Sequence, residues 1–251
     1  MDLQLADKTC LVTGAGAGIG LATAVALARE GAQVVVVAAR TVGALAPALG
    51  LIKNAGGRTP ITATGDLGRP GGAAALASQV LSAVGHVDIL VNNAGASWPD
   101  PDGEQAWEAG LALSFVAPRQ LSELLLPGMI ERGWGRIVNL TGAIVAREMN
   151  AAAVAKAALE SCSKAAAAAH APKGVTVNCV APGRIESAQV RERLHPTEES
   201  RRAFIAQNIP AGRFGEADEA AALIAFLVSG PAAYVNGTTI PVDGGALRYA
   251  F

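Results

Sequence analysis

Tyrosine is nearly absent from this chain of 251 residues: only Tyr234 and Tyr249 carry a phenol, and both stand near the C-terminal end. Any proton chemistry earlier in the chain therefore has to come from another side chain. Cysteine is almost as scarce. Cys10, Cys162 and Cys179 lie far apart in apolar segments with no C-x-x-C pair, which argues against a disulfide framework or a thiolate metal site and for free thiols. Charge is sparse at 16% of residues, with a formal net charge of −1, so nothing attracts nucleic acid or an acidic membrane surface. No apolar run reaches the roughly 20 residues that span a bilayer. The segment Met1–Lys8 lacks the basic and apolar blocks of a secretory signal. These absences give the expectation of a cytoplasmic protein that acts on a small molecule, without a nucleic-acid or membrane partner and without a metal.

The chain is 51% hydrophobic, a composition that suits a sheet buried on both faces. Strand-like and helix-like patterns alternate to the end, which predicts a doubly wound α/β fold: a parallel seven-stranded sheet with helices on both faces. Strands are expected at Thr9–Val12, Gln33–Ala38, Thr59–Thr64, Asp88–Val91, Arg136–Leu140, Val175–Val180 and Thr238–Val242. Helices are expected after Gly20, over Val42–Asn54 with an interruption at Pro47, and over Ala73–Val84. Others are expected over Gln105–Arg132 with Pro118 and Pro127 kinking or dividing it, Asn150–Ala171, and Glu216–Val228. A Pro- and Asp-rich loop, Trp98–Gly103, follows the fourth strand. No linker or internal repeat interrupts the rhythm, so residues 1–251 are expected to form a single domain, with the charged segment 184–210 as a weakly helical substrate lid.

The first strand runs straight into Thr13-Gly14-Ala15-Gly16-Ala17-Gly18-Ile19-Gly20 and then into a helix. Strand, glycine turn and helix N-terminus in that order make a phosphate seat. First-turn N–H groups point outward, the helix dipole adds partial positive charge, and glycines let a pyrophosphate approach the backbone. A plain tight turn is the competing reading; the flanking strand and helix weigh against it.

With Asp66-Leu67, Asn92-Asn93-Ala94-Gly95, Gly135–Asn139, Pro182-Gly183 and Val242–Gly245 following in order, the chain resembles the short-chain dehydrogenase/reductase family over nearly its whole length. The resemblance implies a Rossmann-type sheet of strand order 3-2-1-4-5-6-7 carrying a nicotinamide dinucleotide on its carboxyl edge. It implies that Gly14, Gly18, Ile19 and Gly20 hold the pyrophosphate, that Asp66 accepts from the adenine amino group, and that Leu67 packs on the ring. It further implies that Asn93, Ala94 and Gly95 line the ribose and nicotinamide side, with Pro182, Gly183 and Ile185 meeting the carboxamide. Members selective for NAD carry an acid at the end of the second strand; here stands Arg40, which can pair with a 2′-phosphate. NADP is therefore favoured over NAD, a solvated loop arginine being the other reading of Arg40.

The resemblance also implies an active site of tyrosine, lysine, serine and asparagine, and this sequence departs from it at three of the four places. Lys156 matches the lysine, and four residues earlier, where the tyrosine belongs, stands Ala152. The serine position falls at Gly142 beside Thr141, and the asparagine position at Ser114. The expectation is an NAD(P)-dependent oxidoreductase acting on a carbonyl or alcohol with a degenerate proton relay. Thr141 would serve as hydrogen-bond donor, and Lys156 (also a ribose ligand) or Glu148 as acid. The alternatives are a catalytically silent nucleotide-binding protein and a non-redox dehydratase or isomerase on the same fold. A homodimer or homotetramer is expected from the resemblance, with the alanine run Ala165–Ala169 at a helix contact and Tyr249 and Phe251 anchoring a partner subunit.

Overall fold

A computed structural model of the protein describes residues 1–56, 58–95, 103–142 and 150–247. Fifteen elements carry the argument. They are β1 (Thr9–Thr13), α1 (Gly18–Arg29), β2 (Val34–Ala39), α2 (Ala46–Gly56), β3 (Ile61–Thr64), α3 (Gly72–Val84), β4 (Ile89–Asn92) and α4 (Glu104–Leu111). There follow α5 (Ala117–Glu131), β5 (Gly135–Leu140), α6 (Ala151–His170), β6 (Val175–Pro182), α7 (Glu198–Asn208), α8 (Ala217–Leu227) and β7 (Thr239–Val242).

The seven strands form one parallel sheet in the order β3-β2-β1-β4-β5-β6-β7, as the resemblance implied. Period-two alternation divides each strand between two cores. Cys10, Val12, Val37, Ile89, Val91, Val138 and Val180 face α1, α2 and α8 through Leu27, Ile52 and Ile224. Leu11, Val36, Leu90, Ile137 and Val177 face α3, α5 and α6 through Leu76, Leu121, Met129 and Ala167. The strand order reverses between β1 and β4, and the crevice outside their carboxyl ends is where open α/β sheets bind ligands.

Three sequence expectations need correction. Pro47 does not interrupt the second helix; it is the second residue of α2, where a missing N–H costs nothing because first-turn donors have no intrahelical partner. Pro127 does not divide the long helical region, whereas the region does change at Pro118. Pro118 occupies the first turn of α5, behind a π-helical turn over Ala112–Val116, and Pro127 sits inside α5, which continues to Glu131 because buried Leu121, Leu125 and Met129 hold it to the sheet. The segment 184–210 is better formed than its charge suggests: a π-helical turn covers Val190–Leu194, and Thr197 caps α7 by accepting from Ser200 N at 3.1 Å. No described helix is long and apolar enough to cross a membrane. The loop Trp98–Asp102, Glu148 with its neighbour Arg147, and Tyr249 and Phe251 lie outside the described residues.

Candidate active site

The glycine turn after β1 uses its glycines for two different physical reasons. Gly14 and Gly18 have φ of 66° and 55°, the left-handed region in which a Cβ is strained. Gly16 and Gly20 are needed for close approach: a Cβ on Gly16 would stand 2.3 Å from the Ala44 carbonyl oxygen, and one on Gly20 would stand 2.4 Å from the Gly14 oxygen. Nothing lies within 4 Å of the place where a Cβ on Gly18 would point. The N-cap of α1, Ala17, offers no side-chain acceptor, and the first turn holds no acid. Among the described residues the N–H groups of Gly18, Ile19 and Gly20 therefore have no protein acceptor, while the dipole of a 12-residue helix stands behind them. An anionic pyrophosphate fits these donors.

Asn93 locks this turn to β4. Its side-chain amide donates to the Thr13 carbonyl at 2.9 Å and the Gly14 carbonyl at 3.1 Å, and the Thr13 hydroxyl accepts from the N–H of both Asn93 and Ala94 at 3.0 Å. The Asn93 side chain is thus spent on shaping the glycine turn, leaving Ala94 and Gly95 to line the crevice. Asp66 is a turn residue, accepting from Gly68 N at 3.0 Å and pairing with Arg69 at 3.3 Å, and its side chain remains 44% exposed. Leu67 sits mostly in the core against α3, so only its edge is left for a ring to touch. Arg40 is exposed at the end of β2 and, among the described residues, has no ion pair.

On the other side of the crevice β6 ends at Pro182. Gly183 packs so tightly on Asp243 that a Cβ would stand 2.7 Å from its Cα. The next residues form a one-residue parallel bridge, Ile185 to Gly215, made by Gly215 N donating to Arg184 O and Glu186 N donating to Gly215 O. Among the described residues Ile185's own N–H and C=O have no backbone partner, a donor–acceptor pair matched to a carboxamide. Ser114, in the π-helical turn, is buried, and its hydroxyl has no hydrogen-bond partner among the described residues.

Lys156 and Ala152 lie one turn apart on α6, whose N-terminus is capped by Asn150 accepting from Ala153 N at 2.9 Å. Lys156 reaches toward the end of β5: a Cβ on Gly142 would stand 3.7 Å from its Nζ. Burial pushes the ammonium below the ordinary lysine range, and the nearby Glu160 carboxylate partly opposes that. Thr141 is buried, and its hydroxyl donates to the Val180 carbonyl at 3.3 Å. Burial raises the Glu160 carboxyl above the usual range, against the lowering effects of Thr141 and then Lys156.

The profile of the family described as enoyl-(acyl carrier protein) reductase matches residues 14–246. The chain is 37% identical over 250 residues to a 3-oxoacyl-(acyl-carrier-protein) reductase, FabG, of Vibrio cholerae, covering 97% of this chain and 98% of that protein. This chain belongs to the short-chain dehydrogenase/reductase family. Among solved members, the L-sorbose reductase of Gluconobacter frateurii, complexed with NADPH and L-sorbose, superposes with a TM-score of 0.91 at 31% identity, covering 99% of this chain and 100% of its own. A gluconate 5-dehydrogenase of Burkholderia cenocepacia in complex with NADP and tartrate gives 0.88 at 30% identity, over 98% and 97% of the two chains. The chain is thus an oxidoreductase of the short-chain dehydrogenase/reductase type, and its cofactor class is the NADP-type dinucleotide.

Within this family member the structure brings Gly14, Gly18–Gly20, Ala94, Gly95, Pro182–Ile185, Thr141 and Lys156 to the carboxyl edge of one sheet. The sequence reading missed Glu160. Its only signal was a lone acid one turn beyond Lys156 in an alanine-rich helix, a pattern that reads as a solvated face. It also missed the packing of the segment after β6, where the His195 ring packs at a tilt on Phe204 at 4.5 Å and on Phe214 at 5.4 Å. Arg184 lies over Phe204 and Arg201 over Phe214. Burial, then the charges of Arg184 and Arg201, lower the His195 pKa.

Proposed function

We propose that this chain is an NADP-dependent carbonyl reductase in which Lys156 acts as proton donor in place of the tyrosine that its relatives' pattern would put at Ala152. The observation that carries this reading is the reach of Lys156 Nζ to Gly142, where the missing serine would otherwise stand. Burial lowers the pKa of the Lys156 ammonium, which makes it a stronger acid than an ordinary lysine, and an alkoxide forming in a dry site needs a proton donor. The dinucleotide supplies the hydride. The chain's own residues do the rest: Gly14, Gly18, Ile19 and Gly20 hold the pyrophosphate, and Arg40 takes the 2′-phosphate. Asp66 and the edge of Leu67 meet the adenine, and Asn93 keeps the turn in shape beside Ala94 and Gly95. Pro182, Gly183 and Ile185 receive the carboxamide, Lys156 also binds the ribose, and Thr141 supports the acid from behind.

The reading takes the chain as one domain in which 184–210 closes over a small-molecule substrate, and as a homodimer or homotetramer built on α5 and α6. Leu124 and Val154, exposed apolar side chains on those two helices, support that assembly. A second reading, a silent nucleotide-binding protein or a non-redox enzyme, is favoured by Ala152, which carries no titratable group. Fluorescence titration with NADPH and NADH, followed by a panel of ketones, aldehydes and alcohols, separates them. Binding with turnover supports the reductase, and tight binding without turnover supports the second reading.

A further inference from the structure

Arg184 stands where β6 leaves the sheet, between Gly183 and Ile185, and its carbonyl accepts from Gly215 N at 2.9 Å. Its guanidinium carbon lies over the Phe204 ring, 4.9 Å from the centroid. Phe204 belongs to α7, so the charge is held between the end of β6 and that helix. Arg184 is half-buried, and burial lowers its pKa with no carboxylate opposing the shift. A guanidinium nonetheless stays charged, so a cation withdrawn from water remains here.

The neighbouring charges are already accounted for. Glu186 pairs with Arg191 and Arg201, Glu198 with Arg201 and Arg202, and Glu219 with Arg213. Arg193 is exposed to water. Buried Arg136 gives its N–H groups to the carbonyls of Gly135, Gly174 and Ser229. Among the described residues, Arg184 alone is withdrawn from water with neither a carboxylate nor a carbonyl on its guanidinium. His195, packed on the same Phe204 ring, supplies no counter-charge: burial, then Arg184 and Arg201, hold it below the ordinary histidine pKa. A cation so placed is costly until an anion reaches it.

We propose that Arg184 selects the substrate: it takes the carboxylate of an oxo acid whose carbonyl receives the hydride. This rests on the reading of the chain as a carbonyl reductase. The contact with Phe204 spends none of the guanidinium N–H donors on an acceptor atom, and their planar fork matches a carboxylate through two parallel bonds. In that reading Ile185 meets the carboxamide, so an anion on Arg184 is presented one residue away from the nicotinamide end of the crevice. A phosphate suits the place less well, because phosphates favour uncapped helix N-termini. The α7 N-terminus is closed by Thr197 accepting from Ser200 N, with Glu198 and Glu199 in its first turn.

The test reads binding without turnover. Full-length protein saturated with NADP⁺, which cannot reduce a ketone, is titrated by calorimetry with pyruvate, acetoacetate and levulinate and with their methyl esters. The proposal expects at least one acid to bind about tenfold or more tighter than its ester, the worth of a charge-assisted bond. Arg184→Gln should close that gap, and Arg184→Lys, which keeps the charge but not the fork, should narrow it. Equal affinities in every pair, no acid bound at all, or a gap that survives in Arg184→Gln overturns the proposal. If the glutamine variant fails to fold, Arg184→Lys decides, an undiminished gap counting against Arg184. The functional reading fails separately. Acids that bind through Arg184 while none is reduced with NADPH contradict the reductase and leave the anion site standing. Protein without affinity for NADP⁺ contradicts it as well, and the acids are then titrated alone.

Discussion

Lys156 and Gly142 meet across the mouth of the site: the lysine Nζ lies 3.7 Å from where a Cβ on residue 142 would stand. That separation is ordinary van der Waals contact, and Gly142 does not use a left-handed backbone. Gly142→Ser should therefore fold with a melting temperature within a few degrees of wild type. Combined with Ala152→Tyr, it rebuilds a phenol and a hydroxyl around Lys156, and this double variant should raise carbonyl reduction at least tenfold over wild type. A steady-state assay with NADPH checks it; a folded double variant with no gain contradicts the assignment of positions 142 and 152.

The proposed reading gives the cofactor preference to Arg40. A charge-assisted bond to a phosphate is worth about 1.5–3 kcal/mol, so Arg40→Ala should weaken NADPH binding by roughly 10- to 100-fold and leave NADH within twofold. Equal losses for both dinucleotides would remove Arg40 from the 2′-phosphate site.

The glycines of the first turn should separate by mechanism. Gly16→Ala drives a Cβ to within 2.3 Å of the Ala44 oxygen, so its melting temperature should fall with or without nucleotide. Gly18→Val meets no protein atom but must hold φ near 55°, which costs about 1–2 kcal/mol, and it places a branched side chain where the pyrophosphate approaches. It should lose NADPH affinity far out of proportion to its loss of stability, as thermal melts and titrations on the two variants would show.

Much of this architecture was legible in the sequence because the residues that build it leave patterns. β-branched runs such as Val34–Val37 mark buried strands, Gly14–Gly20 marks a phosphate turn, and Glu216 and Val228 stood at the ends of α8, where the structure puts its caps. The misses came from tertiary context. Pro127 reads as a breaker, yet the buried residues around it keep α5 intact. Asn93 reads as a cofactor contact, and only the three-dimensional meeting of β1 and β4 shows its amide committed to Thr13 and Gly14. Glu160 reads as a surface acid, since nothing local says that α6 partly buries it.

The pH dependence of stability should carry the mark of Lys156. Its folded-state pKa is lowered by burial, so between that value and the ordinary lysine pKa of about 10.4 the unfolded chain binds the extra proton, and stability rises with pH. Lys156→Met should flatten this rise in melts from neutral to alkaline pH. Glu160 has the opposite sign. Its raised pKa means that the folded state keeps a proton the unfolded state has released, so the stability it contributes is lost as pH climbs through the raised value.

Glu219 lies beside the Ile185–Gly215 bridge, 3.6 Å from where a Cβ on Gly215 would stand. Its carboxylate closes a capping box at the start of α8 and pairs with Arg213 at 2.6 Å, and these contacts hold its pKa down at about 2. Its contribution is present above the ordinary carboxylate pKa and is lost as pH falls through about 2. Glu219→Gln should lower the melting temperature at neutral pH, as thermal melts would show.

The most direct test is a single-turnover measurement of NADPH oxidation by a carbonyl panel, comparing the wild type with Lys156→Met across pH at saturating nucleotide. Wild-type turnover that declines as an acid of depressed lysine pKa loses its proton, and falls at least a hundredfold in the variant while NADPH still binds, is the predicted result. Equal rates in the two proteins, or NADPH bound by both and oxidised by neither, would contradict a lysine that took over the proton from a missing phenol.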